Sequence, residues 1–164
     1  MSPVIRPARP EDAPACADIY RPFVTDTCIS FELDAPDAEE MARRIAAASQ
    51  THAWLVAEDD TGIRGYAYGS AHRARAAYST SADVAVYVRP DSNRMGLGRA
   101  LYADLFERLR ARGSHALFAG IALPNEASIG LHTAMGFEPV GIYREVGWKL
   151  GAWRDVGWWQ KRLN

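Results

Sequence analysis

Residues 82 to 99 read Ala-Asp-Val-Ala-Val-Tyr-Val-Arg-Pro-Asp-Ser-Asn-Arg-Met-Gly-Leu-Gly-Arg, and they carry the strongest structural signal in this chain. The apolar run from Val84 to Val88 predicts a strand, which Pro90 stops before a polar turn. Gly96 and Gly98 then stand at the head of an amphipathic segment. The stretch therefore predicts a strand, a glycine-containing loop and the start of a helix, in that order.

The two glycines indicate where a ligand could bind. Glycine lets the backbone approach a ligand closely, and the unpaired N–H groups of a helix's first turn form an anion site. A phosphate-bearing molecule is one occupant, although Gly-x-Gly also occurs where a turn needs only a positive φ. The spacing fits neither the Walker loop, which needs Gly-Lys-Ser/Thr, nor the dinucleotide fingerprint, because Leu101 stands where that motif has a third glycine.

Strand and helix patterns alternate along the rest of the chain. Strands are predicted at residues 4 to 8, 117 to 123, 137 to 143 and 156 to 159, and a hairpin is predicted at residues 54 to 68. The aromatic segment 147 to 153 is expected to separate the last two strands. Helical stripes follow residue 10, residue 37, Gly98 and Asn125. Cys16 falls on the first stripe, and Pro22 is expected to end or distort that helix. These elements predict a mixed α/β (α+β) domain of three layers.

Composition excludes several classes of protein. A chain of 164 residues suits one domain, here taken as residues 1 to 164. Its composition, with 48% hydrophobic and 24% charged residues, is ordinary for a globular protein. A net charge of −1 with no basic stripe argues against a nucleic-acid partner. Two cysteines are too few for a disulfide framework, and no stretch approaches 18 apolar residues, so we expect a cytoplasmic protein with no membrane partner.

Two motifs together resemble a known family. The loop from Asn93 to Gly98 resembles the pyrophosphate loop Gln/Arg-x-x-Gly-x-Gly/Ala of the GNAT superfamily of N-acetyltransferases, with Asn93 where Gln or Arg is usual. Residues 125 to 137 resemble the GNAT pattern Asn-x-x-Ala/Ser-x-x-Leu-Tyr-x-x-x-Gly-Phe, with His132 in place of the tyrosine. Within the superfamily the chain is most similar to the phosphinothricin and methionine sulfoximine (sulfone) acetyltransferases, and the similarity runs almost from end to end.

The resemblance implies a fold and a co-substrate. It implies a GNAT-like three-layer domain with a central mixed, mostly antiparallel sheet flanked by helices. It also implies that acetyl-CoA binds as co-substrate, with no metal. The residues carried over for acetyl-CoA binding are Val86, Tyr87, Val88, Arg94, Met95, Gly96, Leu97, Gly98, Arg99, Asn125 and Ser128.

Two residues are candidates for proton transfer. Amine acetylation needs a base, because an amine of pKa about 8 to 10.4 arrives largely as ammonium near neutral pH. Asp83 stands where the family carries a catalytic Glu. Without the family resemblance, Asp83 is interpreted as a polar residue at the start of a strand. Being one methylene shorter than Glu, it favours a relay through water. His132 suits acid or base work, although a lone histidine on a helix is also a common hydrogen-bonded packing residue.

An acceptor site is predicted beside them. Arginine clamps carboxylates in bidentate fashion, and the related enzymes use a Lys/Arg pair and a tyrosine against an amino acid. Arg73, Arg75 and Tyr78 match that set and Phe31 matches an aromatic lining position, although solvated surface charge is the default for arginines in a loop. Trp148, Trp153, Trp158 and Trp159 are interpreted as core or subunit interface, and the family resemblance implies a homodimer.

The function predicted first is acetyl transfer to the amine of a small amino-acid-like substrate, such as phosphinothricin, methionine sulfoximine or methionine sulfone, directly in a ternary complex. A second hypothesis is a GNAT enzyme for another amine, namely a polyamine, an aminoglycoside or a protein amino terminus. A third is a non-catalytic acyl-CoA-binding module, which the Asp83 substitution favours and the presence of Asn125 and His132 disfavours.

Overall fold

The computed structural model describes residues 2–92 and 96–164, and those residues form one seven-stranded sheet with helices on both faces. The strand order is β1-β2-β3-β4-β5-β7-β6. The strands are β1 (Val4–Pro7), β2 (Ala53–Asp59), β3 (Gly62–Ala71), β4 (Ser81–Val88), β5 (Ala116–Ala122), β6 (Glu138–Lys149) and β7 (Ala152–Arg162), and the helices are α1 (Ala13–Thr25), α2 (Ala38–Thr51), α3 (Leu97–Ala111) and α4 (Glu126–Ala134).

Sequence features account for the helix boundaries. The Asp37 side chain accepts a hydrogen bond from the Glu40 N–H at 2.8 Å and so caps α2, and the Asn125 side chain caps α4 by accepting from the Ser128 N–H at 3.1 Å. Gly96 precedes α3 with a φ of +71°, a conformation that glycine adopts without strain. Helix α1 continues past Pro22 to Thr25, so that proline does not end it.

Two buried clusters lie on opposite faces of the sheet. One packs α3 against the sheet through Leu101, Leu105 and Leu109, and the other packs α1 and α2 through residues that include Cys16 and Ile45. The predicted stripes of α1 and α3 are therefore the buried faces of those helices. The three-layer fold and the mixed, mostly antiparallel sheet are confirmed.

Strands β4 and β5 diverge in the middle of the sheet. Among the described strands they form the one parallel pair, which is recorded from Ser81 with Ala116 to Asp83 with Phe118. Beyond that point β4 continues to Val88 and β5 to Ala122 without pairing with each other. The gap leaves the β5-facing edge of β4 without a neighbouring strand beyond Asp83, although β3 pairs with the other edge, and backbone groups on the open edge need another partner.

The carboxyl-terminal hairpin is longer than predicted. Segment 147 to 153 does not separate the last two strands, because β6 runs to Lys149, β7 begins at Ala152, and Gly151 takes the positive φ of the tight turn between them. Strand β6 lies at the edge of the sheet. Trp159 is buried, but Trp148 and Trp153 are 58% and 59% exposed, so of the two interpretations, core or subunit interface, core is wrong for this pair and the subunit interface stays a prediction.

A membrane-spanning helix was not found: within the described ranges, each helix is too short or too polar to cross a bilayer.

Candidate active site

Two adjoining cavities lie where β4 and β5 diverge. The larger has a volume of about 690 Å³ and the smaller about 60 Å³. Both are bordered by Val84, Tyr87 and Gly120, so they adjoin each other across the divergent strands. Asp83 lines the larger cavity, and His132 lines the smaller one. The sheet thus brings the two predicted proton-transfer residues to a pair of adjoining cavities, which are together called the cleft below.

Alternation along β4 assigns its residues to opposite faces of the sheet. Ala82, Val84 and Val86 pack toward α3, whereas Tyr87 packs with Tyr20 of α1 at a ring-centroid distance of 5.0 Å. Because side chains alternate along a strand, Asp83 shares the face of Tyr87. The carboxylate therefore lies on the α1 side of the sheet, where the larger cavity opens.

The Asp83 carboxyl group has one close polar partner. Its Oδ1 lies 2.5 Å from Nδ1 of His72, and 31% of the Asp83 side chain is exposed. Burial raises the pKa of Asp83 above its usual value, and the hydrogen bond with His72 acts in the opposite direction. A carboxylate with a raised pKa is a stronger base than an ordinary aspartate. Removing a proton from the acceptor's ammonium group requires such a base.

His132 is buried and held in one tautomer. Its Nδ1 lies 2.7 Å from the Ser128 carbonyl oxygen, which can only accept, so Nδ1 carries the proton. Its Nε2 then accepts a hydrogen bond from the Tyr102 hydroxyl at 2.9 Å. Burial lowers the pKa of His132, so the ring is neutral near pH 7. The geometry provides a buried pair of hydroxyl and imidazole beside the small cavity.

The predicted acetyl-CoA residues divide into three groups. Val86, Asn125 and Ser128 line the small cavity, together with Tyr87, whereas Val88 packs against the α3 core. Gly96 and Arg99 are exposed, and Leu97 is buried at the start of α3, where Gly98 also lies. Arg94 and Met95 lie outside the described residues, as does Asn93.

The first turn of α3 packs tightly on α4. A Cβ atom placed on Gly98 would lie 3.3 Å from Cδ2 of Leu131, closer than most such contacts. The N–H groups of this turn have no partners within the helix. The glycine therefore allows α3 to approach α4 and leaves its amino terminus uncovered by a side chain at that position.

The outer wall of the larger cavity is a loop between α1 and α2. Phe31 lines the cavity, and its ring packs against Gly147 of β6 so closely that a Cβ there would not fit. Glu32 receives two hydrogen bonds from Arg44, at 2.7 and 2.8 Å, and one from the Tyr20 hydroxyl at 2.5 Å. The Arg44 guanidinium lowers the pKa of Glu32, so this cavity-lining carboxylate is ionised near pH 7.

The predicted arginine clamp lies outside the cavity lining. Arg73, Arg75 and Tyr78 are all exposed, and the lining of the larger cavity includes none of the three among the described residues. Arg73 donates a hydrogen bond to the carbonyl oxygen of His72 at 2.8 Å, and the Tyr78 ring lies edge-on to the His72 ring with centroids 6.0 Å apart. Arg73 and Tyr78 thus lie next to His72, the partner of Asp83, whereas Arg75 is placed only as an exposed residue of the same loop.

His72 was missed by the sequence prediction, because only the register between β3 and β4 brings it to Asp83. Ser70 of β3 pairs with Asp83 of β4, which puts residue 72 diagonally across from Asp83 on the same face. Tyr20, Ser30 and Glu32 were also missed as lining residues. No local pattern marks them, because they reach the cavity only through the packing of α1 and the loop after it.

The model of the Acetyltransferase (GNAT) domain family matches residues 5–158. The chain belongs to this GNAT family. The resemblance inferred from the two motifs is therefore confirmed, and with it the class of enzyme, an acetyltransferase.

Three relatives of this GNAT chain are informative. A phosphinothricin N-acetyltransferase of Streptomyces coelicolor is 39% identical over 173 residues, covering 97% of this chain and 95% of the relative. An L-methionine sulfoximine/L-methionine sulfone acetyltransferase of Pseudomonas aeruginosa PAO1 is 37% identical, covering 100% and 96%. A solved GNAT phosphinothricin acetyltransferase from Sinorhizobium meliloti, in complex with AcCoA, superimposes with a TM-score of 0.94 at 34% identity, covering 100% and 90%.

Proposed function

We propose that this chain is an acetyl-CoA-dependent N-acetyltransferase that acetylates the amine of a small amino-acid-like acceptor of the phosphinothricin, methionine sulfoximine or methionine sulfone type. The observation that carries the proposal is a cleft at the divergence of β4 and β5 that holds Asp83 in its larger part and the His132–Tyr102 pair in its smaller part. The names of the relatives support the acceptor class, and the solved relative with AcCoA supports the co-substrate.

The chain has the features needed to hold acetyl-CoA. The edge of β4 that faces β5 is open beyond Asp83 and offers hydrogen bonds to an amide-containing chain, and the amino terminus of α3 offers N–H groups to a pyrophosphate. Val86 and Asn125 border the small cavity between these two regions. Acetyl-CoA supplies an activated thioester, so the protein has to orient the amine, move protons and exclude water.

The proton steps are assigned to the two sides of the cleft. Asp83 takes a proton from the acceptor's ammonium group, either directly or through a bridging water, and so produces the neutral amine that can attack. Tyr102 and His132 lie together beside the small cavity, where the hydroxyl can give a proton to a departing thiolate and recover one from water after the products leave. Both substrates have to be present for this arrangement to work, which supports direct transfer in a ternary complex.

The acceptor panel is the first test of this function. Purified protein would be mixed with acetyl-CoA and each of phosphinothricin, methionine sulfone, a polyamine, an aminoglycoside and an amino-terminal peptide, and thiol release would be followed. We expect turnover with the amino-acid analogues. Preference for another amine would leave the enzyme class intact and overturn the acceptor class. Acetyl-CoA binding without turnover on any amine would favour a non-catalytic acyl-CoA-binding module.

Gly98→Val is expected to weaken acetyl-CoA binding about tenfold or more, equivalent to about 1.4 kcal/mol, in calorimetric titrations. The added side chain would cover the amino terminus of α3 and press on Leu131. Gly130→Val on α4 is the control, because a Cβ there meets no atom within 4 Å.

The double variant Gly98→Val/Leu131→Ala separates the two effects of that substitution. It removes the internal clash while leaving the helix terminus covered. We expect it to fold with a parent-like circular dichroism spectrum and still to bind weakly. Parent-like affinity in the folded double variant would mean that acetyl-CoA does not approach this turn.

We also propose that two copies of the chain associate through β6. This edge strand carries exposed apolar side chains, among them Val140, Ile142 and Trp148, and Trp153 follows on the hairpin. Long exposed apolar edge strands are uncommon unless another chain covers them. Tyr143 and Val146 of the same strand line the larger cavity, so a second copy there would border the acceptor site.

Trp148→Glu is expected to convert a dimer to a monomer in multi-angle light scattering, because it buries a charge in the proposed interface. Val4→Glu is the matched control, since Val4 is 58% exposed and lies on β1, at the opposite edge of the sheet from β6. A parent that scatters as a monomer across the micromolar range would contradict the dimer.

A further inference from the structure

His72 forms a pair with Asp83, but the proton steps proposed above give His72 no role. The His72 side chain is 13% exposed at the end of β3, and its ring stacks on Phe118 of β5 with centroids 4.3 Å apart. Trp158 of β7 meets the same ring edge-on at 6.0 Å. Packing from three strands therefore fixes the imidazole in one orientation, with Nδ1 2.5 Å from Oδ1 of Asp83.

The distance determines which atom carries a proton. Two lone pairs 2.5 Å apart would repel, so a proton lies between Nδ1 and Oδ1. With an ionised carboxylate, Nδ1–H donates and Oδ1 accepts. Donation to the charged form favours that form, and it opposes the burial that raises the pKa of Asp83.

We propose that His72 is a positioning residue for proton removal, holding Oδ1 of Asp83 so that Oδ2 receives the proton of the acceptor's ammonium group. This inference rests on the proposed function. The step moves one proton: the ammonium becomes a neutral amine, the carboxylate becomes a carboxylic acid, and His72 keeps its Nδ1–H throughout. Water later takes the proton from Oδ2, so no further reactant is needed.

A short side chain explains why such a partner is needed. Aspartate has one methylene fewer than glutamate and reaches less far into the cavity, so the direction of its free oxygen decides whether it meets an amine. Among the described residues Oδ2 accepts no other hydrogen bond. The charged and titratable groups around the pair are Arg73, which lowers the pKa of Asp83, and Tyr78; Phe118 and Trp158 contribute apolar packing.

Two substitutions at one position separate hydrogen bonding from packing. His72→Phe keeps an aromatic ring against Phe118 but removes the donor, and His72→Asn places an amide N–H near the position of Nδ1. We expect His72→Phe to lower kcat about 10- to 100-fold, with KM for acetyl-CoA unchanged. Because loss of the donor raises the pKa of Asp83, the acid limb of the pH–rate profile of His72→Phe should move to higher pH.

His72→Asn should recover most of kcat and return the acid limb toward its parent position. A His72→Phe enzyme with parent kcat and an unmoved limb would overturn the proposal. So would a His72→Asn enzyme as slow as His72→Phe, since a donor at that position would then have no effect.

A titration without substrate keeps this inference distinguishable from the proposed function. With aspartate labelled by 13C, the carboxyl signal of Asp83 should titrate at higher pH in His72→Phe than in the parent. If the parent acetylates no amine, the function fails whatever this titration shows. If the parent is active but the Asp83 midpoint is the same in both proteins, the function stands and the role of His72 fails.

Discussion

Asp83→Asn should lower kcat for acetyl transfer about 100-fold or more, a barrier increase of about 2.7 kcal/mol, while acetyl-CoA affinity stays within about twofold. Asparagine has the same shape but cannot accept a proton from an ammonium ion at neutral pH. The residue lines the larger cavity and not the smaller one, so the co-substrate contacts should survive. Steady-state rates and calorimetric titration measure the two quantities separately.

The pH dependence of kcat/KM provides a second test of the role of Asp83. The base has to be ionised to act, so the parent's kcat/KM should rise as pH increases through the pKa of Asp83, which burial holds above its usual value. Asp83→Asn should lose that limb. Asp18→Asn, an exposed aspartate on α1, is the control and should behave as the parent. An Asp83→Asn enzyme with the parent's rate and profile would exclude Asp83 from the mechanism.

Arg75→Ala should lower kcat/KM for methionine sulfone about 10- to 200-fold, because a charge-assisted hydrogen bond contributes about 1.5 to 3 kcal/mol. The described lining of the larger cavity contains the carboxyl groups of Glu32 and Asp83 and no lysine or arginine. That surface suits an ammonium group and not a carboxylate. A carboxylate on the acceptor would have to be met outside this lining, and Arg73 and Arg75 are exposed in the loop that follows His72.

The methyl ester of methionine sulfone isolates this contact. Because the ester has no carboxylate, it should lose little kcat/KM in Arg75→Ala, and the double difference between acid and ester gives the interaction. Arg21→Ala, on the exposed face of α1, should leave both substrates unaffected. Equal losses on acid and ester, or a parent that prefers the ester, would move the assignment to acceptors that lack a carboxylate.

Local patterns were sufficient for much of the fold. The apolar stripes of α1 and α3 predicted their buried faces, and the strand-loop-helix order around Gly96 and Gly98 placed the divergent strand β4 beside the start of α3. These features depend on residues close together in sequence, whose periodicity is set by helix and strand geometry. The motifs at residues 93–98 and 125–137 then led to the family, because they occur together in the right order.

Features that depend on distant packing could not be predicted. The pairing of His72 with Asp83 follows from the β3–β4 register, which a loop of unknown conformation left open. Phe31 meets Gly147 across more than one hundred residues of sequence. The length of the β6–β7 hairpin was missed because Gly147 and the nearby aromatic residues read locally as a turn, whereas pairing with β7 keeps them in a strand.

The most direct test of the central claim is the identity and amount of the product. Purified protein, acetyl-CoA and methionine sulfone would be incubated at neutral pH, and both free CoA and N-acetylated product would be measured by mass spectrometry. We expect one N-acetyl product for each CoA released, no such product from the α-hydroxy analogue, and a rate at least about 100-fold lower for Asp83→Asn. CoA release without an acetylated amine, or equal product from the parent and Asp83→Asn, would contradict the central claim.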